Sequence, residues 1–465
     1  MAHGVGTPGR KSLGRQVSWT LAANALYGGC NLLLLVVLNK LGNATEVGKY
    51  GLALAVTAPI FMCANLRFAT VLASDMRSSV CLKDYFTVRI ALVIASLIAV
   101  ATMLIAGASN ELAMLIGVVA VTKSVEAIQD LCCGVQQRIE RIDRIAVSLV
   151  AYGLAMFGAF LTVYAFTRNL CAAAAALLLA RVCVLLLYDL PVAALASEEP
   201  VFVDAADISG TSGYFRRETW PRLQELLVAS APLGLTAALM SLASNMPRYV
   251  IPAAFDEGML GIFVSMAVVL QAGGLVFRAV EQPAVPRLAL AIHHRDGKRF
   301  WTLLGSLCLI FSAIGLVGAL ASWLVGGRIL DFIFTRQFLM MGGVLASMML
   351  ATVVGQIAGM VESSLIAARV IRIQVPMHCI TVAICFELSN LLIPRLELYG
   401  AVLALAICRI PFMLFGVLLL RRKLAEGPVA ADGSQVTAAD ASGQAIGTGE
   451  QREMESGLGR TDRAA

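Results

Sequence analysis

Charge and histidine are what this sequence has least of. Of its 465 residues only 14% are Asp, Glu, Lys or Arg, and the four histidines are His3, His293, His294 and His378. All four fall at terminal, loop or span-end positions, which argues against a buried imidazole base or a histidine metal centre. No P-loop is present, so nucleotide hydrolysis is not expected to drive the protein. The first apolar run, from about Val17, reaches "LLLLVVLNK" without a small-residue cleavage site. It reads as a retained first span, not a removed leader. The 11 cysteines are odd in number and mostly embedded in apolar runs, so neither disulfides nor a metal site is expected, and no cofactor is indicated. Cys132 and Cys133 are adjacent and point to different helix faces, which argues against joint ligation.

What the chain has in excess is apolar residues: 59% hydrophobic, with a mean hydropathy of +0.81. Apolar runs near twenty residues recur along its whole length, the pattern of an all-α integral membrane protein. About twelve spans are expected, near 17–38, 51–74, 89–108, 111–136, 145–167, 169–190, 226–246, 259–285, 302–325, 338–368, 375–394 and 399–420. About 21 Lys and Arg, Arg89 among them, fall in alternate loops on the N-terminal side, against about 7, Arg248 among them, on the other. That bias places both termini in the cytoplasm. It also accounts for most of the net charge of +6, so nucleic acid is not an expected partner.

The longest polar interruption, 191–225, separates six spans from six. The expected organisation is a cytoplasmic tail (1–16), a six-helix bundle (17–190), a linker (191–225), a second six-helix bundle (226–420) and a tail (421–465) without apolar periodicity. Residues 1–12 and those from Gly427 onward are expected to be disordered. The stretches "SDMRSSVCLKDYFTVR" and "PRLALAIHHRDGKRFWT" follow the second and eighth spans and resemble each other weakly. That suggests two pseudo-symmetric halves with a working site between them. Basic and aromatic residues together are equally the composition of ordinary interfacial anchors.

A charge inside a bilayer costs a few kcal/mol even on lenient scales, so each one should face protein or a wet cavity. Arg67 lies in "APIFMCANLRFATVLASD", about two turns from the inner end of the second span. Lys123, Glu126 and Asp130 share one helical face in "AVTKSVEAIQDLCCGVQQ". A structural Lys123–Glu126 pair and a substrate role are both open. Arg278 and Glu281 repeat the three-residue spacing ahead of Pro283 and Pro286, where a kink is expected. Asn24, Tyr27 and Asn31 share a face of the first span, while Arg181, Glu362, Glu387 and Arg409 add single charges. Together these describe a polar cavity spread over both halves. Arg67, Lys123 and Arg278 are candidates to offset an anionic head group, and Asn24, Tyr27 and Asn31 to bind hydroxyls. Glu126, Asp130, Glu281 and Glu362 are candidates for coupling to H+ or Na+.

The segments "SWTLAANALYGGCNLLLLVVLNKLGNATEVGKYGLALAVTAPIFMCANLRFATVLASD", "DYFTVR" and "EAIQDLCCGVQQRIERIDRIAVS" resemble the polysaccharide biosynthesis (O-antigen type) flippases of the multidrug/oligosaccharidyl-lipid/polysaccharide (MOP) exporter superfamily, which is MATE-like. Where similar sequences often read Asn-Leu-Gln-Leu-Arg, this one has Asn65, Leu66, Arg67, Phe68 and Ala69. The positive charge is thus shifted by two positions. The resemblance implies two six-helix bundles around a central cavity that alternates between inward-open and outward-open forms in a bacterial inner membrane. It also implies a polyprenyl diphosphate-linked oligosaccharide as substrate, membrane lipid around it, and a polysaccharide polymerase or other assembly protein as partner. A cation-coupled multidrug antiporter and a membrane-embedded glycosyltransferase are the alternatives; otherwise no enzymatic activity is expected.

Overall fold

The computed structural model describes residues 13–69, 72, 82–105, 110–197, 219–368, 370 and 373–425. The two tails expected to be disordered and the centre of the linker lie outside them, as does the first half of the first of the two basic-aromatic stretches. The first half comprises α1 (Leu13–Leu41), α2 (Ala44–Asn65), α3 (Leu82–Ile105), α4 (Asn110–Arg138), α5 (Ile142–Thr167) and α6 (Leu170–Val184). α6 continues through a π-helical turn at Leu185–Asp189 into α7 (Leu190–Ser197). The second half comprises α8 (Thr219–Ala254), α9 (Glu257–His293) and α10 (Gly297–Ala321). A second π turn (Ser322–Gly326), α11 (Gly327–Ile333) and a 3-10 turn (Arg336–Met341) lead to α12 (Gly342–Ala367), α13 (Gln374–Ile407) and α14 (Arg409–Ala425).

Eight of these stretches are long and apolar enough to cross a membrane, nine with the bent α9 counted as one span. One of them, Gln374–Ala425, holds two segments, because Glu397 breaks α13 with φ 52° and ψ −130°. α4 and α8 add 29 and 36 helical residues. The described residues therefore form an all-α, multi-pass membrane protein of about twelve spans. The expected kink at Pro283 and Pro286 is displaced: α9 bends by 55° between Gln271 and Val276, and both prolines lie inside the helix that follows. Gly273 and Gly274 occupy the bend, where the absence of side chains lets the helix break.

The packing repeats between halves. α1 lies on α5 as α8 lies on α13; α2 packs on α3 and α4 as α9 packs on α10 and α12; and α4 packs on α6 as α12 packs on α14. The contacts that join the halves repeat as well, since α2 packs on α8 as α9 packs on α1. Exchanging each span for the one six places on reproduces these contacts, which is the signature of a pseudo-two-fold axis.

The axis passes between α2 and α9. Both helices begin with a side-chain cap, Asn43 accepting from the Glu46 N–H and Asp256 from the Met259 N–H, on the face opposite the ends of α1 and α14 that border the tails. Four residues into each helix comes a glycine. A Cβ on Gly48 would stand 1.8 Å from the Glu257 carbonyl oxygen, and one on Gly261 would stand 1.8 Å from that of Ala44. The halves thus touch backbone to backbone, with Val47 and Leu260 fully buried beside the contact. Lys40 adds a tie by donating to the Phe332 carbonyl at 3.0 Å.

Gly261→Leu should force these ends apart, because the neighbouring atoms are backbone and cannot yield. In a cysteine-free background, a cysteine placed at Leu260 should react with a membrane-impermeant maleimide faster in that variant than with Gly261 intact. Equal rates would contradict the clasp.

Candidate functional site

Three cavities of about 700, 280 and 680 Å³, which share lining residues, occupy the space between the halves. Tyr27 lines all three. The first lies near the inner end of α2 and carries Asn65, Arg67, Glu126, Gln129, Asp130 and Arg181. The small one reaches Lys123, Arg181 and Arg248. The third carries Asn24, Asn31, Arg248, Gln271, Arg278 and Arg409. Asn24, Tyr27, Asn31, Arg67, Lys123, Glu126, Asp130 and Arg278 therefore all face one space, whereas Glu281 and Glu362 are not among the lining residues.

Around Glu126 the first half neutralises its own charges. Lys123 Nζ lies 2.9 Å from Glu126 Oε2, and Arg181 approaches the same oxygen at 3.5 Å. Arg181 also donates to Gln129 Oε1 at 3.1 Å and stacks 3.8 Å above the Tyr152 ring. Gln129 passes the contact on, donating to Asp189 Oδ2 at 2.7 Å and to Ser148 Oγ at 3.1 Å. Two cations are thus balanced by two carboxylates in a hydrogen-bonded chain. Asp189 sits on the π turn that ends α6, a local widening of the kind often found at functional positions.

Arg67 differs from expectation. α2 ends at Asn65, so Arg67 stands just past the helix and not two turns within it, and Leu66 and Arg67 both adopt left-handed backbone, φ 45° and 51°. Two consecutive non-glycine residues there store strain, which the surroundings must hold. Arg89 provides the hold. It is fully buried and donates to Asn65 Oδ1 at 2.6 Å, lies 3.5 Å from Asp130 Oδ2 and covers the Phe68 ring. Counting Arg89 among inner loop cations is thereby corrected: it pins the end of α2 inside the first half.

The second half is cationic. Arg248, counted from sequence as an outer loop cation, lies within α8, which runs through Pro247 and Pro252 to Ala254. Its Nε is buried without a hydrogen-bond partner, and the side chain lines two cavities. Arg409, the first residue of α14, donates to Ser244 Oγ at 2.9 Å. Among the described residues, no carboxylate comes within 4.0 Å of Arg248, Arg278 or Arg409. Asn24 and Asn31 donate their amides to their own helix at Thr20 and Tyr27, which leaves both side-chain oxygens to accept.

The expectation that no imidazole is buried fails at His378. It is 2% exposed, stacks on Phe412 at 4.5 Å, and its Nε2 lies 3.9 Å from Glu362 Oε1. α13 starts at Gln374, so a residue placed at a span end by hydropathy is already inside the second bundle. Asp189 and Gln129 were also missed, the former because it coincides with an expected span boundary. Glu281 is half-buried on α9, one turn from Arg278.

The fold is similar to that of solved transporters of the MOP superfamily. It matches an inward-facing multidrug resistance MATE family transporter of that superfamily with a TM-score of 0.64 and 17% identity, over 87% of this chain and 96% of that one. It also matches the lipid II flippase MurJ in an inward closed conformation with a TM-score of 0.63 and 13% identity, over 88% of this chain and 89% of the other. In sequence the chain is similar to the capsular polysaccharide biosynthesis protein CapF of Staphylococcus aureus, 25% identical over 398 residues, covering 84% of this chain and 95% of CapF. No family model matches the chain. The resemblance read from the sequence is thus borne out.

The two groups of arginines should respond differently to substitution. Arg181→Met leaves Glu126 to Lys123 alone and takes the donor from buried Gln129 Oε1, a loss of about 1–3 kcal/mol. Arg278→Met removes an exposed, unpaired charge and should change stability by no more than about 0.5 kcal/mol. Thermal unfolding of the two purified variants should show a large drop only for Arg181→Met; equal drops would contradict the division.

Proposed function

We propose that the chain is a flippase that moves a polyprenyl diphosphate-linked oligosaccharide from the cytoplasmic to the periplasmic leaflet of a bacterial inner membrane by alternating access. The observation that carries the reading is the set of three arginines, Arg248, Arg278 and Arg409, that line one cavity with no carboxylate within 4.0 Å of them among the described residues. In a low-dielectric space such charges attract an anion strongly, and guanidinium groups match phosphate oxygens in pairs. The free oxygens of Asn24 and Asn31, with Tyr27 and Gln271, suit sugar hydroxyls. Arg67 at the mouth is placed to meet the head group first. The similarity to CapF supports a role in surface polysaccharide assembly, with a polymerase acting on the delivered lipid-linked sugar. Both chain termini then lie in the cytoplasm, and the Gly48–Gly261 contact faces the periplasm.

Lys123 is assigned a lesser part than Arg278, because its charge is already met by Glu126 at 2.9 Å. Of the coupling candidates, Glu126 and Asp130 also have cationic partners. Glu281 and Glu362 have no Lys or Arg within 4.0 Å among the described residues, and they are assigned to H+ or Na+. A multidrug antiporter exporting organic cations would want acidic walls, and the third cavity is lined by arginine instead.

The test is made in cells lacking the gene. They should accumulate polyprenyl diphosphate-oligosaccharide and lose surface polymer. Wild-type protein should reverse both effects, and the triple variant R248Q/R278Q/R409Q, present at normal level in the membrane, should reverse neither. Full complementation by the triple variant would remove these arginines from the site, and unchanged surface polymer in the deletion strain would count against the reading itself.

A further inference from the structure

A fourth cavity of about 560 Å³ lies away from the central space, on the tail-bearing face of the second half. It shares no lining residue with the other three. Arg287 from the last part of α9 meets Lys298 and Arg299 from the first turn of α10, and Thr302, Leu303 and Ser306 continue the wall one and two turns on. Asp296 is the acidic residue in the lining, and its Oδ1 is engaged in accepting from the Arg299 N–H at 2.9 Å. Three cations thus converge with one carboxylate whose inner oxygen caps a helix.

Where this cavity sits decides what it would hold. α10 opens the apolar stretch Gly297–Ile333, long enough to cross a membrane, so the cavity lies at the tail-side end of a span, where a headgroup would meet it. α10 packs on α9 and α12, and its far side carries Leu309, Ile310, Leu316 and Val317 exposed to lipid. A ligand with an anionic head at the interface and apolar chains running along α10 fits that arrangement. A free inorganic anion would use the cations and leave the apolar surface above them bare.

We propose that this pocket binds the phosphate of an anionic phospholipid from the leaflet on the tail-bearing side. The proposal stands apart from the flippase reading and does not need it. Basic pockets beside helix ends on the cytoplasmic side are the sites at which such headgroups are recognised, each cation contributing on the order of a fivefold gain in binding.

The position also has a consequence for the central cavity. α9 is clasped to α2 at Gly261, bends by 55° between Gln271 and Val276, and then carries both Arg278 and Arg287 on its second segment. A lipid held by Arg287, Lys298 and Arg299 ties that second segment to the start of α10. The anchored phosphate thereby fixes where Arg278 stands in the cavity, and the lipid acts as a structural part of the second half.

The experiment is native mass spectrometry of the full-length protein released from nanodiscs containing equal amounts of phosphatidylglycerol and phosphatidylethanolamine. Wild type should retain phosphatidylglycerol in preference, and R287Q/K298Q/R299Q should lose that preference by tenfold or more. A control, R421Q/R422Q/K423Q, removes three cations from the same face at the end of α14, outside the pocket lining, and should keep the preference. Equal loss in both variants would reduce the effect to general surface charge and overturn the site. Displacement of phosphatidylglycerol by equimolar undecaprenyl diphosphate would reassign the pocket to a polyprenyl diphosphate, and no preference in wild type would remove it. A folding defect in the first variant would appear as lost thermal stability; R287Q alone, at the pocket's edge on α9, should then give about a fivefold loss.

Discussion

The backbone contact between Gly48 and Gly261 is the constraint on which the rest of the structure depends. Two helix ends can approach this closely only where both lack side chains, and the reciprocal contact onto Ala44 and Glu257 aligns α2 with α9 about a single axis. Once these ends are fixed, the other joining contacts, α2 with α8 and α1 with α9, follow by symmetry. The space left between the halves is the cavity. Its residues come from both halves because the axis runs through it, and the glycines seal the end that the caps Asn43 and Asp256 mark.

Within that frame the two halves solve the problem of buried charge differently. In the first half Lys123, Arg181 and Arg89 are met by Glu126, Asp189 and Asp130 through ion pairs or the Gln129 bridge. Such a network holds helices α2, α3, α4, α5 and α6 together. In the second half Arg248, Arg278 and Arg409 face the cavity without a carboxylate in contact. A charge that is not met by the protein is available to something that enters. The asymmetry divides the labour between a half that is structurally closed and a half that is electrostatically open, although their folds repeat.

The spans, their number and the division into halves were legible because hydropathy and loop charge follow directly from the bilayer. Asn24, Tyr27, Asn31, Lys123 and Arg278 could be placed on one space because helical spacing assigns faces. The failures share a cause. Arg248, Arg89 and His378 were read as loop or span-end residues because prolines or nearby basic residues resemble boundaries. In the structure α8 runs on through Pro247 and Pro252. Transmembrane helices tolerate proline, since neighbours satisfy the freed carbonyls. Nor could a linear pattern reveal that Leu66 and Arg67 turn left-handed, or that the bend in α9 falls at Gly273 and Gly274 ahead of the prolines. Those features depend on packing partners distant in sequence, Arg89 and α2 among them.

The central claim is that an anionic head group is received by the unpaired arginines of the second half and not by the paired cations of the first. Equilibrium binding of undecaprenyl diphosphate to the purified protein tests it most directly, with Arg278→Gln set against Lys123→Gln. The account predicts a loss of tenfold or more for Arg278→Gln, the scale of one charge-assisted hydrogen bond, and a change of less than about threefold for Lys123→Gln. The reverse order would place the head group in the first half and contradict the account.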